Sequence, residues 1–217
     1  YINNDDFISE FKSIYDIERI VSKIINFKTN PRELISLSNS LKSIDNIKRI
    51  LKVSKNKNTI SVQKKLIRGS SITKIIDGYL NPQAPSLLNK GGVINRGINQ
   101  ELDNTRDILN NNKNILDEIL KREIKNTGIS SLKISFNNVF GFYLEVTNSH
   151  KDKVPNEWIR KQTLVSAERY ITDELKIHEN KILNAEEKIL EIEFMEFNNL
   201  IRNCLLYTSD AADEMRR

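Results

Sequence analysis

The sequence has little cysteine, proline or glycine: one Cys, four Pro and seven Gly in 217 residues. Few Gly and Pro leave little room for the many turns of an all-β fold. The hydrophobic content of 38% and the charged content of 29% indicate a soluble, helix-rich protein. The lone Cys204 cannot form an internal disulfide, which fits a reducing cytoplasm.

The sequence also lacks long apolar runs. No run approaches the roughly 18 residues needed to span a bilayer, and no charged start leads into an apolar segment with a cleavage site. We therefore expect a cytoplasmic protein with no membrane partner. The chain begins at Tyr1 instead of Met and shows no start-like feature, so we interpret it as cut from a longer protein.

Residues for catalysis, cofactor binding or metal binding are not recognisable. His150 and His178 have no companions at metal-ligand spacing, and Cys204 has no partner thiol. Gly92 and Gly97 have the spacing of a phosphate loop, but the Lys and Ser or Thr that should follow are replaced by Ile98 and Asn99, so a turn into a helix is favoured. We predict no catalytic, cofactor-binding or metal-binding residue in this chain.

The N-terminal part of the sequence predicts helices. Apolar spacing of three and four residues predicts one helix over Phe7–Phe27 and a second from Pro31 to about Leu51, with Asn30 as its cap. A polar break at Lys55–Asn58 precedes a less regular helical stretch that includes Ile60, Leu66, Ile67, Ile72, Ile75 and Ile76. Asn81–Gly97 is the clearest loop.

The second half of the sequence changes its period twice. Ile98–Asn126 has heptad-like spacing and no Gly or Pro, which predicts a long packed helix. Leu132–Val146 alternates in period two and predicts a β-hairpin that turns at Asn137–Asn138 with positive φ. Trp158–Leu164 is a candidate third strand, and Thr172–Ile201 is a second long helix capped by Thr172. This helix has two neighbouring apolar stripes, which predicts that its far end is buried on more than one side. The second stripe is Leu183, Leu190, Phe194, Phe197 and Ile201.

The predicted fold class is therefore mainly α. We expect a helical core and two long antiparallel helices with a small β-hairpin at their tip. The expected boundaries are a helical core over residues 1–96, an outgoing helix over 97–127, a β unit over 128–171, a returning helix over 172–203, and a non-native tail over 204–217, whose sequence resembles translated adapter sequence.

A polar cluster near the expected tip is the candidate binding site. It combines Arg160–Thr163 with Ser166 and Arg169, whose side-chain types reach phosphate oxygens. Composition alone favours an ordinary solvated surface, and the net charge of +5 with a pI near 9.1 favours a polyanionic partner only weakly. Tyr143 and Trp158 can stack on bases, although packing beside a small sheet is the commoner fate of aromatics.

Several sequence motifs occur in order between about residues 7 and 201, among them Gly91–Ile94, Asn99–Asp103 and Phe136–Tyr143. Together these motifs resemble the MutS family. Gly91–Ile94 followed by Asn99–Asp103 resembles the entry to the first lever helix of that family, and Phe136–Tyr143 resembles its clamp hairpin. The return from the clamp into the second lever is matched by Arg160–Leu164, Ala167–Ile171 and Glu174–Leu175. Ile14–Arg19 and Asn30–Leu34 resemble the core domain of the family.

The resemblance implies a part of a DNA mismatch repair protein that carries core, levers and clamp. It implies a cytoplasmic dimer that encircles double-stranded DNA, recruits a MutL-type protein, and in full length is a DNA-dependent ATPase using ATP and Mg. No ATPase region is recognisable in this chain, which we expect not to be an enzyme and to hold no cofactor. The phosphate contacts implied by the resemblance are Asn137, Arg160, Lys161, Gln162, Ser166 and Arg169. Many relatives have Lys or Arg followed by Asn where this chain has Val165 and Ser166.

Two other functions remain open at the level of sequence. A coiled-coil adaptor would bind protein through its apolar seams and have no role on DNA, and its binding would hardly depend on salt, unlike phosphate contacts. A second MutS-type subfamily acts outside mismatch repair, but the clamp-like hairpin argues against it.

Overall fold

The computed structural model describes residues 4–66 and 69–214, and for Asn4 and residues 207–214 it describes the backbone alone. The chain divides into two compact units. The helical unit comprises Tyr1–Gln100 and Leu190–Arg217, and the sheet unit comprises Glu101–Ile189. Among the described helices, none is both long and apolar enough to cross a membrane.

In the described residues of the helical unit, five α-helices precede the loop region. They are α1 (Asn4–Lys12), α2 (Ile17–Ile25), α3 (Pro31–Leu51), α4 (Lys57–Lys65) and α5 (Ser70–Tyr79), followed by a short 3-10 helix (Leu88–Lys90). The predicted start of α3 is confirmed. Asn30 accepts a hydrogen bond from the Glu33 backbone, and the Glu33 side chain accepts one from the Asn30 backbone, so the two residues form a capping box.

The prediction of one helix over Phe7–Phe27 is wrong, because the chain breaks between α1 and α2. The Asp16 side chain caps α2 by accepting from the Arg19 N–H at 2.9 Å. Ser13 and Tyr15 in the break bond instead to α3, the Ser13 hydroxyl to Ser43 at 2.7 Å and the Tyr15 N–H to Ser40 at 2.9 Å. Local capping therefore overrides the continuous apolar spacing.

The less regular stretch that follows α3 consists of two helices, α4 and α5. Asn56 caps α4 by accepting from the Asn58 N–H. Ile67, which the sequence placed in this stretch, lies outside the described residues. The Asn81–Gly97 loop then continues the unit through a bridge between Leu80 and Ile94.

A buried carboxylate holds this loop. Glu193 has no exposed surface, and both of its oxygens accept the Val93 N–H at 3.2 Å. Gly91 and Gly92 precede Val93 with φ of 67° and 73°, values that glycine adopts without strain. Two consecutive left-handed residues thus turn the backbone so that the Val93 N–H meets the carboxylate.

The sheet unit consists of two helices and four strands. Its elements are α6 (Gln100–Thr127), β1 (Lys133–Asn137), β2 (Gly141–Thr147), a 3-10 helix (Asn148–Lys153), β3 (Ile159–Thr163), β4 (Ala167–Ile171) and the start of α7 (Asp173–Glu214). The strands form one antiparallel sheet in the order β1-β2-β4-β3. The predicted mainly α fold with a small β component is confirmed.

The predicted hairpin is confirmed, but its turn differs. Asn137 pairs with Gly141, so the loop has three residues, Asn138 to Phe140, instead of a tight turn at Asn137–Asn138. Positive φ falls on Gly141, at 79°, and not on either Asn. Asn137 serves the turn through its side chain, which accepts the Val139 N–H at 2.7 Å.

The candidate third strand is confirmed as β3, whereas β4 was not predicted. Four of the five residues of β4 are buried, including Glu168, so the strand shows no alternation of apolar and polar residues. β4 is an interior strand, paired with β2 on one side and β3 on the other. Its charged residues are accommodated by ion pairs with neighbouring strands, and a pattern of apolar residues alone cannot reveal this.

Helices α6 and α7 run antiparallel within the sheet unit. Ion pairs join Glu101 to Lys188, Lys113 to Glu186, and Arg122 to Glu174. Residue numbers in α7 therefore decrease as those in α6 increase, which is the antiparallel arrangement. The predicted cap is present, because Thr172 accepts the Leu175 N–H at 3.2 Å. The heptad-like positions of α6 face inward, with Leu102, Thr105, Asn112, Leu116 and Ile119 buried.

The predicted burial of the far end of α7 is confirmed, because Ile192 of the first stripe and Phe197 and Ile201 of the second are buried. Leu183 and Phe194 of the second stripe are 41% and 56% exposed, so this stripe is not covered along its whole length. Helix α7 also continues past Ile201 to Glu214, and Cys204 is buried. The non-native origin of residues 204–217 stays a prediction.

The core of the sheet unit joins both helices to one face of the sheet. The buried side chains that form it are Leu116, Ile119, Ile129, Leu132, Leu144, Val146, Trp158, Tyr170, Leu175 and Ile182. Leu144 of β2 pairs directly with Tyr170 of β4, and both side chains belong to this core, so both face the helices. The opposite face of the sheet is therefore turned away from this core.

Candidate nucleic-acid interface

A polar row crosses all four strands on the face of the sheet that points away from the helices. Strand register places Lys133 of β1 opposite Glu145 of β2, Glu145 opposite Arg169 of β4, and Arg169 opposite Gln162 of β3. Each neighbouring pair is in contact: Lys133 Nζ to Glu145 at 2.9 Å, Arg169 Nε to Glu145 at 3.2 Å, and Arg169 Nη1 to Gln162 Oε1 at 2.9 Å. We call these four residues the polar row.

Arg169 occupies the centre of the polar row and is largely buried. Its side chain is 19% exposed, and its guanidinium lies 4.5 Å from the centre of the Tyr143 ring. Hydrogen bonds from Lys133, followed by those from Arg169, hold the pKa of Glu145 below its usual value, against the effect of burial. Arg169 therefore links three strands, with most of its surface already used.

A second group of polar residues lies where β3 and β4 face the helix side. Arg160 Nη1 contacts Glu168 Oε1 at 3.3 Å, and the Tyr170 hydroxyl donates to the other oxygen of Glu168. The hydrogen bond from Tyr170, with the charge of Arg160, lowers the pKa of Glu168, while burial and the Glu168 carboxylate raise the pKa of Tyr170 to about 12. Glu168 is thus an ionised carboxylate enclosed by its partners.

Arg160 and Lys161 are the accessible cations of this region. The Arg160 side chain is 61% exposed even though it contacts Glu168. Lys161 stands at a register shift between Arg160 and Gln162, so it is the extra residue of a β-bulge on the edge strand. Within the described part of the chain, no carboxylate pairs with Lys161. Both cations are therefore accessible to an external anion without a rearrangement of the protein core.

Ser166 lies in the exposed turn between β3 and β4. The turn closes through the Leu164 N–H and the Ala167 carbonyl at 2.8 Å. Asn148 holds it from outside, its side chain donating to the Val165 carbonyl and its backbone N–H to the Ser166 carbonyl. The Val165 side chain is fully exposed, so this turn presents a hydroxyl beside an apolar side chain and no charge.

The six residues implied by the resemblance are not all brought together. Gln162 and Arg169 touch, Arg160 and Lys161 adjoin them on β3, and Ser166 follows in the next turn. Asn137 ends β1, at the opposite edge of the sheet and at the other end of the strands, about 20 Å away at the rise of an extended strand. It is fixed there by its own turn.

The partners of the cations were missed at the level of sequence. Glu145 pairs with Arg169 and Glu168 pairs with Arg160, so these carboxylates limit how freely each arginine can bind another anion. Neither was predicted as a site residue. Glu179 of α7 was missed as well: it accepts the Phe142 N–H at 3.1 Å and holds the hairpin near its turn. Tyr143 and Trp158 are 5% and 7% exposed, so they pack in the protein instead of presenting rings to a base.

Comparison with known proteins gives consistent matches. A family model described as MutS family domain IV matches residues 97–188. A DNA mismatch repair protein MutS from Parabacteroides distasonis is 49% identical over 193 residues, which cover 89% of this chain and 22% of the relative. Proteins of the same name from Flavobacterium johnsoniae and Bacteroides thetaiotaomicron are 50% and 48% identical, over 88% and 87% of the chain and 22% of each relative. The chain spans about a fifth of the length of these curated relatives.

Proposed function

The chain belongs to the MutS family, and from that membership we propose that its sheet unit is a clamp that binds the phosphate backbone of duplex DNA. The lever helices of this proposal are α6 and α7. The observation that carries it is the pair of accessible cations on the edge strand β3, Arg160 and Lys161, which directly precede Gln162 of the polar row along the chain.

The proposed contacts differ in strength. Lys161 is the principal one, because an exposed ammonium without a carboxylate partner gains the most from a phosphate. Arg160 is the second, since a guanidinium has five N–H donors and Glu168 occupies only part of them. Gln162 and Ser166 add neutral donors. Contacts of this kind position a protein on the duplex without reading its sequence.

Arg169 and Asn137 take different roles in this proposal. Arg169 orients Gln162 and braces the strands, because its guanidinium is already shared between Glu145, Gln162 and the Tyr143 ring. Asn137 shapes the hairpin turn and approaches the duplex at a separate point. The clamp therefore depends on a braced sheet with two cations at one edge.

For the whole protein we propose the activity that family membership suggests. A cytoplasmic homodimer would encircle double-stranded DNA, recognise mismatches, and couple that recognition through the levers to ATP hydrolysis with Mg. A MutL-type protein would be its downstream partner. Within this chain the levers and clamp would transmit, and the site for ATP would lie in the remainder of the protein.

The decisive test removes the two accessible cations and measures the salt dependence of binding. Arg160→Gln with Lys161→Gln should lower affinity for matched and mismatched duplexes equally. The slope of log K against log salt should flatten by about two units, at about 0.9 per phosphate. Fluorescence anisotropy with a labelled duplex at low salt measures both quantities.

The matched control is Lys176→Gln with Lys181→Gln, which removes two exposed lysines from α7 of the same unit. It should leave the slope within about half a unit of the parent. Circular dichroism establishes that both double variants keep their helices. If the β3 variant binds as the parent does, Arg160 and Lys161 are ordinary surface charges and the proposed clamp contact is wrong.

A further inference from the structure

The positive charge of the chain is concentrated outside the sheet unit. Residues 48–65 hold seven Lys and Arg and no Asp or Glu, while the whole chain has an excess of only five positive charges. The rest of the chain is therefore net acidic. The seven are Lys48, Arg49, Lys52, Lys55, Lys57, Lys64 and Lys65, and we call them the basic segment. The segment covers the end of α3, all of α4 and the connection between them.

Helix α4 contributes nothing to the core of the helical unit. It buries no residue, and it has no acidic side chain in its first turn and two lysines in its last. Its two apolar side chains are Ile60, which is half-buried, and Val62, which is exposed, so packing of this helix contributes little to the core. Most of the surface of α4 is therefore accessible to a binding partner.

The basic segment borders an open groove of about 620 Å³. The lining of this groove includes four cationic side chains, Lys42, Lys48, Arg49 and Lys52, and the neutral donors Asn46, Gln63 and Ser70. Asp45 is the one acidic residue among the lining residues. Such a mixture of cations, amides and a hydroxyl is the set of side chains that contacts phosphate oxygens.

The cations of the basic segment remain free of carboxylates. Lys42, just outside the segment, is neutralised by Asp77 at 2.6 Å. Lys48 donates to the Leu66 carbonyl and Arg49 to the Asn46 side chain, so both keep their net charge. Among residues 5–66 and 69–206, whose side chains the structure describes, no ion pair involves any of the seven. Six of them, all except Lys48, are exposed.

We propose that the basic segment is a second binding surface for the phosphate backbone of duplex DNA, separate from the clamp. The proposal rests on the proposed function only in taking DNA as the partner. Three of the cations, Lys57, Lys64 and Lys65, lie on the nine-residue helix α4, about 13 Å long at the rise of an α-helix. The other four lie at the end of α3 and in the connection that leads to α4. A set of cations spread over this length suits a line of phosphates better than one small anion. Six of the seven are lysines, a residue type depleted at protein–protein interfaces, which favours DNA over an acidic protein.

The test is a set of charge variants of the full 217-residue chain in the same anisotropy assay. Lys52→Gln, Lys55→Gln and Lys57→Gln together remove three exposed charges without touching a buried residue. The slope of log K against log salt should flatten by about two to three units. The control Lys28→Gln, Lys74→Gln and Lys90→Gln removes three exposed lysines elsewhere in the helical unit and should change it by less than one unit.

The outcomes separate this inference from the proposed clamp. If the triple variant keeps the parental slope while Arg160→Gln with Lys161→Gln flattens it, the clamp stands and the basic segment is left for an acidic protein partner or for solvent. If only the triple variant flattens the slope, the second surface stands and the clamp contact is wrong. Equal effects of the triple variant and its control would show that net charge alone governs binding, which overturns the inference.

Discussion

At the scale of single residues, the proposed interface contains cations that differ in how many partners they already have within the protein. Arg169 is shared between Glu145, Gln162 and the Tyr143 ring, Arg160 is shared with Glu168, and Lys161 has no carboxylate partner in the described part of the chain. An arginine can brace a sheet in this way because its planar fork of donors reaches several acceptors at once. Arg169 thus supports the sheet, while Arg160 and Lys161 are the proposed contacts to phosphate.

The carboxylates that hold these cations give the chain an acid-sensitive stability. The pKa of Glu145 is lowered from an ordinary 4.5 by Lys133 and Arg169, and that of Glu168 by Tyr170 and Arg160. A lowered folded-state pKa stabilises the fold above the ordinary value, and this stabilisation is lost as pH falls below 4.5 through the lowered pKa. We expect the free energy of unfolding in urea to fall between about pH 4.5 and pH 3.

Replacement of one carboxylate tests the origin of that acid sensitivity. Glu145→Gln should be less stable than the parent at pH 7 and should show a shallower fall below pH 4.5, because it no longer takes up a proton on unfolding. Glu157→Gln, which changes an exposed carboxylate, should keep the parental slope. An unchanged acid slope in Glu145→Gln would contradict the role given to the polar row.

At the scale of elements, the sequence predicted the helices and the hairpin better than the interior of the sheet. Asn30 and Pro31 mark the start of α3 through local chemistry, and the change of period after Thr127 marks the hairpin. Strand β4 depends on partners far away in sequence: Glu168 and Arg169 become acceptable in an interior strand only because Arg160, Tyr170 and Glu145 meet them. The cations of the candidate site were predicted from the sequence. The carboxylates that hold them, Glu145 and Glu168, were missed because their partners are distant in sequence.

The β1–β2 turn gives a test at this scale. Gly141 has φ of 79°, and a Cβ built there would overlap the carboxylate of Glu179, which accepts the Phe142 N–H. Gly141→Ala should therefore destabilise the chain by about 1–3 kcal/mol. Gly78→Ala is the matched control, since a Cβ at this α5 position meets nothing within 4 Å. It should be neutral or stabilise by up to about 1 kcal/mol.

Urea unfolding of the two alanine variants measures this difference directly. Duplex binding at low salt then shows whether the hairpin matters for the interface, with Gly141→Ala weakened and Gly78→Ala equal to the parent. Equal stability of the two variants would mean that Glu179 moves aside at little cost and does not fix the turn.

At the scale of the whole molecule, the chain carries proposed DNA-binding surfaces, and its Gly92–Gly97 segment does not have the sequence of a phosphate loop. The Gly92–Gly97 spacing lacks the Lys and hydroxyl of a phosphate loop, and the structure uses this region to anchor the Val93 N–H on Glu193. We expect the purified 217-residue chain neither to bind nor to hydrolyse ATP. Nucleotide-dependent protection from proteolysis, or phosphate release above the rate of buffer, would contradict that expectation.

The bulge at Lys161 affects how readily the edge strand β3 can pair with a second copy of the chain. The sheet is open, so β1 and β3 each leave a row of backbone donors and acceptors that another strand can pair with. A bulge and adjacent positive charges on β3 oppose such pairing, because two copies would bring like charges together along a distorted edge. The side chains proposed to hold DNA would therefore also oppose edge-to-edge pairing of the free protein, and replacing Arg160 and Lys161 by valine should create an aggregation-prone strand.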